Sequence, residues 1–229
     1  MGYYKKLGVF VKVPVEGQVK TRLVPPLSNG EACELYGAFL KDLFARIAKI
    51  KKVSGTIFYA GENPEPIRAI SPAGYLLLPQ VGTNLGERLQ NAFAKLLEDE
   101  GSFAVIIGTD SPDIPLSAIK RAYQKLKHKD VVLGPSADGG YYLIGLRALF
   151  PSLFEKVQWG EDTVLRETLD RIASENLSLS LLPLWYDVDT MRSLEHLETM
   201  MLAKRIEKSG RLTAIESVFA KIHKRRGDR

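Results

Sequence analysis

The chain has 229 residues, of which 45% are hydrophobic and 26% charged, so it is long enough for a sizeable core and ordinary in composition. Its net charge of +5 is unevenly spread: nine Lys or Arg against three Asp or Glu lie in residues 201–229, and the first 200 residues are nearly neutral. A single cysteine, Cys33, and three scattered histidines exclude an internal disulfide and a Cys/His metal site. A metal would need oxygen ligands, which favours Mg²⁺ or Mn²⁺.

Short apolar runs alternate with helical patterns along the chain. The predicted strands are 7–13, 56–60, 75–78, 103–108, 131–133, 141–145 and a broken strand at 179–187. The predicted helices are 29–50, 84–99, 116–127, 161–176, 191–209 and 212–225. This alternation predicts an α/β fold, a Rossmann-like three-layer sandwich with a mostly parallel sheet, to which residues 131–145 add an antiparallel edge. We expect one domain over residues 1–229, with 201–229 as a basic helical C-terminal extension.

The sequence has neither a signal-peptide pattern nor an apolar run of transmembrane length, so we expect a cytoplasmic protein without a membrane span. Ligands of such sheets lie beyond the carboxyl ends of the strands. The loops that follow the predicted strands are therefore the places to search for chemistry.

The loop after the first strand concentrates positive charge. Lys12, Lys20 and Arg22 lie within eleven residues, together with Gly17 and the hydroxyl of Thr21. Glycine permits a close approach of the backbone, and Lys and Arg form charge-assisted hydrogen bonds to anions. The loop is therefore predicted to bind phosphate; an ordinary solvated basic loop is the alternative.

The loop at residues 108–115 follows the most apolar strand. Asp110 is expected to leave the sheet into the ligand crevice, within reach of a hard cation. Asp113 is predicted instead to cap the helix that begins near Leu116.

A third acidic loop, at residues 184–190, also stands at a strand end before a helix. Asp187 and Asp189 alternate, so both project from one face of an extended chain. One of them is a candidate for the second carboxylate of a metal site and the other for a helix cap; two caps without a metal are the alternative.

Two further loops give weaker signals. Asp138, Gly139 and Gly140 form a turn by composition, either as a plain hairpin or as a place where the backbone approaches a sugar closely. Thr83 or Asn84 is predicted to cap the helix that follows it.

Taken together, these segments resemble the GT-A-like nucleotide-diphospho-sugar transferases. The likeness is greatest to a bacterial branch of glycosyltransferases of the arsenosugar-biosynthesis type, and more distant to the molybdopterin and phospholactate guanylyltransferases. The motifs that carry it span residues 7 to about 195: Lys12-x-Pro14, Val19-Lys20-Thr21-Arg22-Leu23, Gly82-x-x-Leu85-Gly86-Glu87-Arg88, Gly108-Thr109-Asp110-Ser111-Pro112, Asp138-Gly139-Gly140-Tyr141-Tyr142 and Asp187-Val188-Asp189-Thr190.

The resemblance implies a GT-A fold that binds a nucleotide-sugar or a nucleoside triphosphate with Mg²⁺ or Mn²⁺. It implies that Lys20 and Arg22 lie on the phosphates, that Asp110 binds the metal, and that Asp189 is the second metal ligand. On this basis Asp110 and Lys20 are the predicted catalytic residues, and Asp138 is a candidate contact to the sugar or to a small-molecule acceptor.

The predicted function is metal-dependent glycosyl transfer from a nucleotide-diphospho-sugar. The alternative is a nucleotidyltransferase that releases pyrophosphate from a nucleoside triphosphate. Nucleic-acid binding by the basic tail is the weakest hypothesis, because the tail carries no interleaved aromatic platform.

Overall fold

The computed structural model describes residues 4–207 and 209–227, which form seven strands and seven α-helices. The strands are β1 (Tyr4–Lys12), β2 (Ser54–Ala60), β3 (Leu76–Pro79), β4 (Ser102–Ile107), β5 (Val131–Pro135), β6 (Tyr141–Leu146) and β7 (Leu179–Leu181). The helices are α1 (Asn29–Ile47), α2 (Glu65–Arg68), α3 (Leu85–Leu96), α4 (Leu116–Lys125), α5 (Val164–Ser174), α6 (Met191–Ile206) and α7 (Thr213–Gly227). The elements predicted from periodicity are confirmed to within a few residues, except that β7 is much shorter than the predicted strand at 179–187.

All seven strands join one sheet in the order β3-β2-β1-β4-β6-β5-β7. Every pairing is parallel except those of β6, which runs antiparallel to both β4 and β5. The prediction that residues 131–145 form an antiparallel edge of the sheet is therefore wrong about where these strands lie. The hairpin of β5 and β6 is inserted with β6 in the interior of the sheet, and β7 then adds to β5 in parallel, so β7 and not the hairpin forms that edge.

Helices cover both faces of the sheet, because the side chains of the central strands are apolar on both sides. Leu7 and Val9 of β1 and Val105 of β4 face the larger core, which includes residues of α1, α4, α6 and α7. Ala104 and Ile106 of β4 face the smaller core, formed with α3 and α5. This is the three-layer α/β sandwich that the sequence predicts.

Local capping fixes where three of the helices begin. Ser28 and Glu31 form the predicted capping box at α1, and the side chain of Asn84 accepts a hydrogen bond from the backbone N–H of Glu87 at α3. Helix α6 starts at a second capping box, made by Thr190 and Ser193.

The predicted basic extension contributes the last turns of α6 and all of α7, and several of its apolar residues belong to the larger core, whereas Leu202 and Ile206 are exposed. Leu212, Ile215 and Ile222 are buried. Asp42 of α1 accepts hydrogen bonds from the backbone N–H groups of Ala214 and Ile215 at 3.1 and 2.9 Å, which joins α1 to the start of α7. None of the helices in the described part of the chain is long and apolar enough to span a membrane.

Candidate functional site

A cleft of about 1100 Å³ opens at the carboxyl ends of the central strands. After β1 the chain moves outward to β2 and β3, and then returns to place β4 on the other side of β1. This reversal of strand order leaves a crevice between the loops that follow β1 and β4, where α/β sheets bind ligands. Lys20 from the first loop and Asp110 from the second both line it.

Lys20 is held in the cleft by unusual local backbone. It adopts a left-handed conformation, with φ of 50°, directly before a single 3₁₀ turn at Thr21–Leu23, and the fully buried side chain of Leu23 anchors that turn. The Lys20 side chain is only 2% exposed, and its Nζ lies 5.5 Å from the centre of the Phe39 ring.

The ammonium of Lys20 forms ion pairs with two carboxylates from distant segments. It contacts Asp110, and its Nζ lies 2.8 Å from Oδ1 of Asp189. Burial alone would lower the pKa of Lys20, but the two carboxylates outweigh it and hold this pKa above its ordinary value. The lysine is therefore a fixed cation at the centre of the cleft.

A buried tyrosine ties the ends of β1 and β4 together beneath this cation. The hydroxyl of Tyr36 accepts a hydrogen bond from the backbone N–H of Lys12 at 3.0 Å and bonds Oγ1 of Thr109 at 2.9 Å. Burial raises the pKa of Tyr36 to about 12, and the nearby charge of Asp110 adds to this shift. Tyr36 was missed in the sequence, where it looks like one more core residue of α1.

Asp187 also lines the cleft, but its hydrogen bonds differ from those of Asp110 and Asp189. Its two carboxylate oxygens accept hydrogen bonds from the hydroxyls of Ser111 and Ser136, both at 2.6 Å. Burial raises its pKa to about 6 despite these bonds. The prediction that Asp187 or Asp189 caps the following helix is wrong, because Thr190 takes that position and both carboxylates line the cleft.

The predicted cap at Asp113 is also wrong. Pro115 is the N-cap residue of α4, and this position makes no side-chain cap hydrogen bond. The carboxylate of Asp113 is instead fully buried and accepts from Trp185, Tyr186 and Lys204. These partners are 72 to 91 residues further along the chain, so local sequence gave no sign of them.

The predicted phosphate loop brings four of its polar side chains to the cleft besides Lys20, and Gln18 is one of them. Lys12, Thr21 and Arg22 line its wall and are exposed to solvent. Gly17 does not line it; its φ of +74° places it in the turn that leads to Lys20.

The turn between β5 and β6 forms the opposite side of the cleft. Asp138 and Gly140 line it, and Asp138 accepts a hydrogen bond from the backbone N–H of Gly140 at 3.0 Å. Gly139 lies behind them with φ of +92°, where an added Cβ would collide with the carbonyl oxygen of Asp162. The hairpin interpretation is therefore confirmed, and the turn also packs on the segment before α5.

That segment, residues 159–162, completes the wall and was missed in the sequence. Trp159 lines the cleft, and its indole packs against Gly86 of α3, where an added Cβ would collide with it. The Gly86 position in an otherwise ordinary helix was the one available signal of this close approach.

Comparison with known proteins identifies the family. A model of the family described as "Uncharacterized protein conserved in bacteria (DUF2064)" matches residues 43–161. The chain belongs to this family. It is also 32% identical to a protein from Desulfovibrio desulfuricans G20 described as a "putative nucleotide-diphospho-sugar transferase", over 97% of this chain and 98% of that one, with a TM-score of 0.87. The resemblance inferred from the motifs is thus confirmed.

More remote structures share the fold of this DUF2064 protein. CMP:2-keto-3-deoxy-manno-octonic acid synthetase, solved with CTP, is 11% identical over 87% of this chain and 99% of its own, with a TM-score of 0.55. The 4-diphosphocytidyl-2C-methyl-D-erythritol synthase of Anaerococcus prevotii DSM 20548 is 10% identical over 86% and 96%, with a TM-score of 0.58. No curated protein matches the chain.

Proposed function

We propose that this protein is a transferase that uses a nucleotide-activated donor, and specifically a glycosyltransferase that acts on a nucleotide-diphospho-sugar with the help of a divalent cation. The observation that carries the proposal is the convergence of Lys20, Asp110 and Asp189 at the switch point of the sheet. The description of the relative from Desulfovibrio desulfuricans supports the same class of donor.

The basic wall of the cleft suits a diphosphate. Lys12, Thr21 and Arg22 present two cations and a hydroxyl beside Lys20, and groups of this kind donate charge-assisted hydrogen bonds to phosphate oxygens. Lys20 is the one of them that is buried, so its charge acts in a less polar surrounding than water, where electrostatic attraction is stronger.

Asp110 and Asp189 are the residues that would hold Mg²⁺ or Mn²⁺. Within residues 4–207 and 209–227 no group of three or more His, Cys, Asp and Glu is arranged to hold an ion. Magnesium in nucleotide sites is commonly bound by only one or two carboxylates, with phosphate and water as the other ligands. Two carboxylates that already converge on one ammonium fit that donor set.

When bound, the cation would neutralise negative charge that develops on the leaving diphosphate. The chain's own residues would divide the remaining work. Lys20 and Arg22 bind phosphate oxygens, and Tyr36 holds the loop ends that carry Lys12 and Asp110 at a fixed separation. Asp138 and the 159–162 segment lie across the cleft, where the sugar or acceptor would lie.

Nucleotidyl transfer is the second candidate, and one observation favours it. The carboxylates come from two separate segments, with Asp110 in a Gly-Thr-Asp-Ser-Pro-Asp sequence, instead of from a single Asp-x-Asp triplet. The resemblance to guanylyltransferases implies the same two-segment arrangement.

Product analysis distinguishes the two. The protein is incubated with Mn²⁺, a panel of nucleotide-sugars and the four nucleoside triphosphates, with a mixture of small hydroxyl and phosphate acceptors. Release of a nucleoside diphosphate from a nucleotide-sugar supports glycosyl transfer, and release of pyrophosphate from a triphosphate supports nucleotidyl transfer. Asp110→Asn should abolish whichever product forms, whereas Asp170→Asn, the same change on the exposed surface of α5, should not. Product formation that survives Asp110→Asn would contradict the proposed site.

A further inference from the structure

The buried carboxylate of Asp113 joins the two segments that supply the cleft's carboxylates. Its side chain is fully shielded from solvent. It accepts hydrogen bonds from Nε1 of Trp185 at 3.1 Å and from the hydroxyl of Tyr186 at 2.9 Å. Those two donors directly precede Asp187, Val188 and Asp189, so Asp113 holds the start of the acidic loop.

A cation from the basic C-terminal region completes this contact. Nζ of Lys204, near the end of α6, lies 3.2 Å from Oδ2 of Asp113. A carboxylate removed from water is costly unless it is paired and hydrogen-bonded, and Asp113 has three donors. Because α4 has no side-chain cap, the buried charge of Asp113 has no role in starting that helix.

The loop that carries Asp110 is held from its other side by α1. The guanidinium of Arg46 donates to the carbonyl oxygens of Pro112, Asp113 and Ile114 at 2.7, 3.3 and 2.6 Å. Closer to the cleft, the backbone N–H of Val188 donates to the carbonyl of Asp110 at 2.8 Å. Two contacts thus join the loops: the backbone hydrogen bond from Val188 to Asp110 next to the cleft, and the hydrogen bonds from Trp185 and Tyr186 to Asp113 further from it.

We infer that Asp113 and Lys204 form a positioning pair. Together they fix the position of the loop that carries Asp110 relative to the loop that carries Asp189, so that both carboxylates can bind the same divalent cation. Asp113 does not line the cleft, so it acts through these loops without touching a ligand. The inference rests on the proposed function, and it gives one residue of the basic C-terminal region a role in the site. Groups that orient metal ligands commonly change metal affinity by about 10- to 100-fold when removed.

The test measures binding to the full-length protein and needs no turnover. The Kd for Mn²⁺ is determined by calorimetry in the presence of UDP, GDP, CDP or ADP, using whichever nucleotide raises the wild-type Tm most. All proteins are measured at one temperature, well below the lowest Tm among them, so that loss of folded protein does not enter the comparison. We expect about tenfold weaker binding for Asp113→Asn and for Lys204→Met.

Two matched variants separate positioning from general destabilisation. Arg205→Met removes a neighbouring exposed cation of α6 and should bind Mn²⁺ like the wild type. Lys204→Arg keeps the cation and should recover most of the affinity lost in Lys204→Met. If Asp113→Asn does not fold, Lys204→Met together with its Arg rescue decides the question.

The outcomes are distinguishable. Wild-type protein that binds no Mn²⁺ with any nucleotide would overturn the proposed function, and the positioning role with it. Wild-type binding that Lys204→Met and any folded Asp113→Asn leave unchanged would overturn the positioning role alone.

Discussion

Replacing Lys20 by methionine tests whether its ammonium occupies the position between Asp110 and Asp189 where a divalent metal ion would bind. Methionine preserves most of the apolar bulk of the lysine stem and removes the ammonium, whose Nζ lies 5.9 Å from the centre of the Tyr36 ring and 5.5 Å from that of Phe39. What remains is Asp110 beside Asp189 without the ammonium between them.

The size of the effect follows from how exposed the carboxylates are. Removing one partner of a fully buried ion pair costs about 3–5 kcal/mol, and an exposed pair contributes only about 0–1 kcal/mol. The Lys20 side chain is 2% exposed, but those of Asp110 and Asp189 are 52% and 35% exposed, so water can solvate both once Lys20 is gone. We therefore expect a loss of about 1–2 kcal/mol. In a chain of this length that lowers the Tm by about 2–8 °C.

Millimolar Mn²⁺ should reverse much of this loss. In the Lys20→Met protein the carboxylates have no ammonium between them and should bind the ion more tightly than in the wild type, so the Mn²⁺-induced rise in Tm should be larger in the variant. Differential scanning fluorimetry with and without Mn²⁺ measures both effects, and Lys120→Met, on the exposed side of α4, is the control for loss of one positive charge. A variant within about 1 °C of the wild type, with the same Mn²⁺ response, would refute the reasoning.

Three other predictions concern the frame around the site. Asp42→Ala leaves two backbone N–H groups of α7 without their acceptor and should lower the Tm by about 2–8 °C in thermal unfolding, as expected for a loss of about 1–2 kcal/mol. Gly139→Ala should destabilise by about 2–4 kcal/mol in urea unfolding, because its Cβ meets a backbone carbonyl, whereas Gly74→Ala shares the positive φ but has open space and should cost clearly less; equal losses would be a contradiction. Hydrogen bonds from Ser178 hold the pKa of Asp130 below its usual value, so this carboxylate's stabilisation is complete above its unfolded pKa and lost as the pH falls through its folded one. The stability gap between wild type and Asp130→Asn should accordingly stay constant from pH 7 to about pH 5 and narrow as the pH falls below about 4, the unfolded pKa of an Asp, and a gap that widens there would reverse the assigned sign.

Much of the fold follows from patterns that are local in sequence. Strands and helices alternate with clear periodicities, and the carboxyl-edge rule then places Lys20 and Asp110 in one crevice. The position of β6 does not follow in the same way, since a hairpin at the edge and a hairpin inserted beside β4 have the same local sequence. Only the long-range pairing of β6 with β4 distinguishes them.

The site shows the same division between local and distant information. Asn84 as a helix cap was predictable because its partner lies three residues away. Asp113 also stands shortly before a helix, so its local sequence resembles that of a cap. Its partners nevertheless come from distant parts of the chain, because a buried carboxylate needs hydrogen-bond donors and a cation. Trp159 lines the cleft and packs against Gly86, and this contact between distant residues does not follow from any local sequence pattern.

The most direct test of the central claim is the stabilisation of the folded protein by a nucleotide together with a divalent cation. The Tm is measured with a panel of nucleoside diphosphates, each with and without Mn²⁺, for the wild type, Asp110→Asn and the surface control Asp170→Asn. We expect at least one nucleotide to raise the Tm of the wild type and the control far more with Mn²⁺ than without it, and Asp110→Asn to lose that dependence on the ion. Metal-dependent stabilisation that persists in Asp110→Asn would contradict the assignment of Asp110 as a metal ligand.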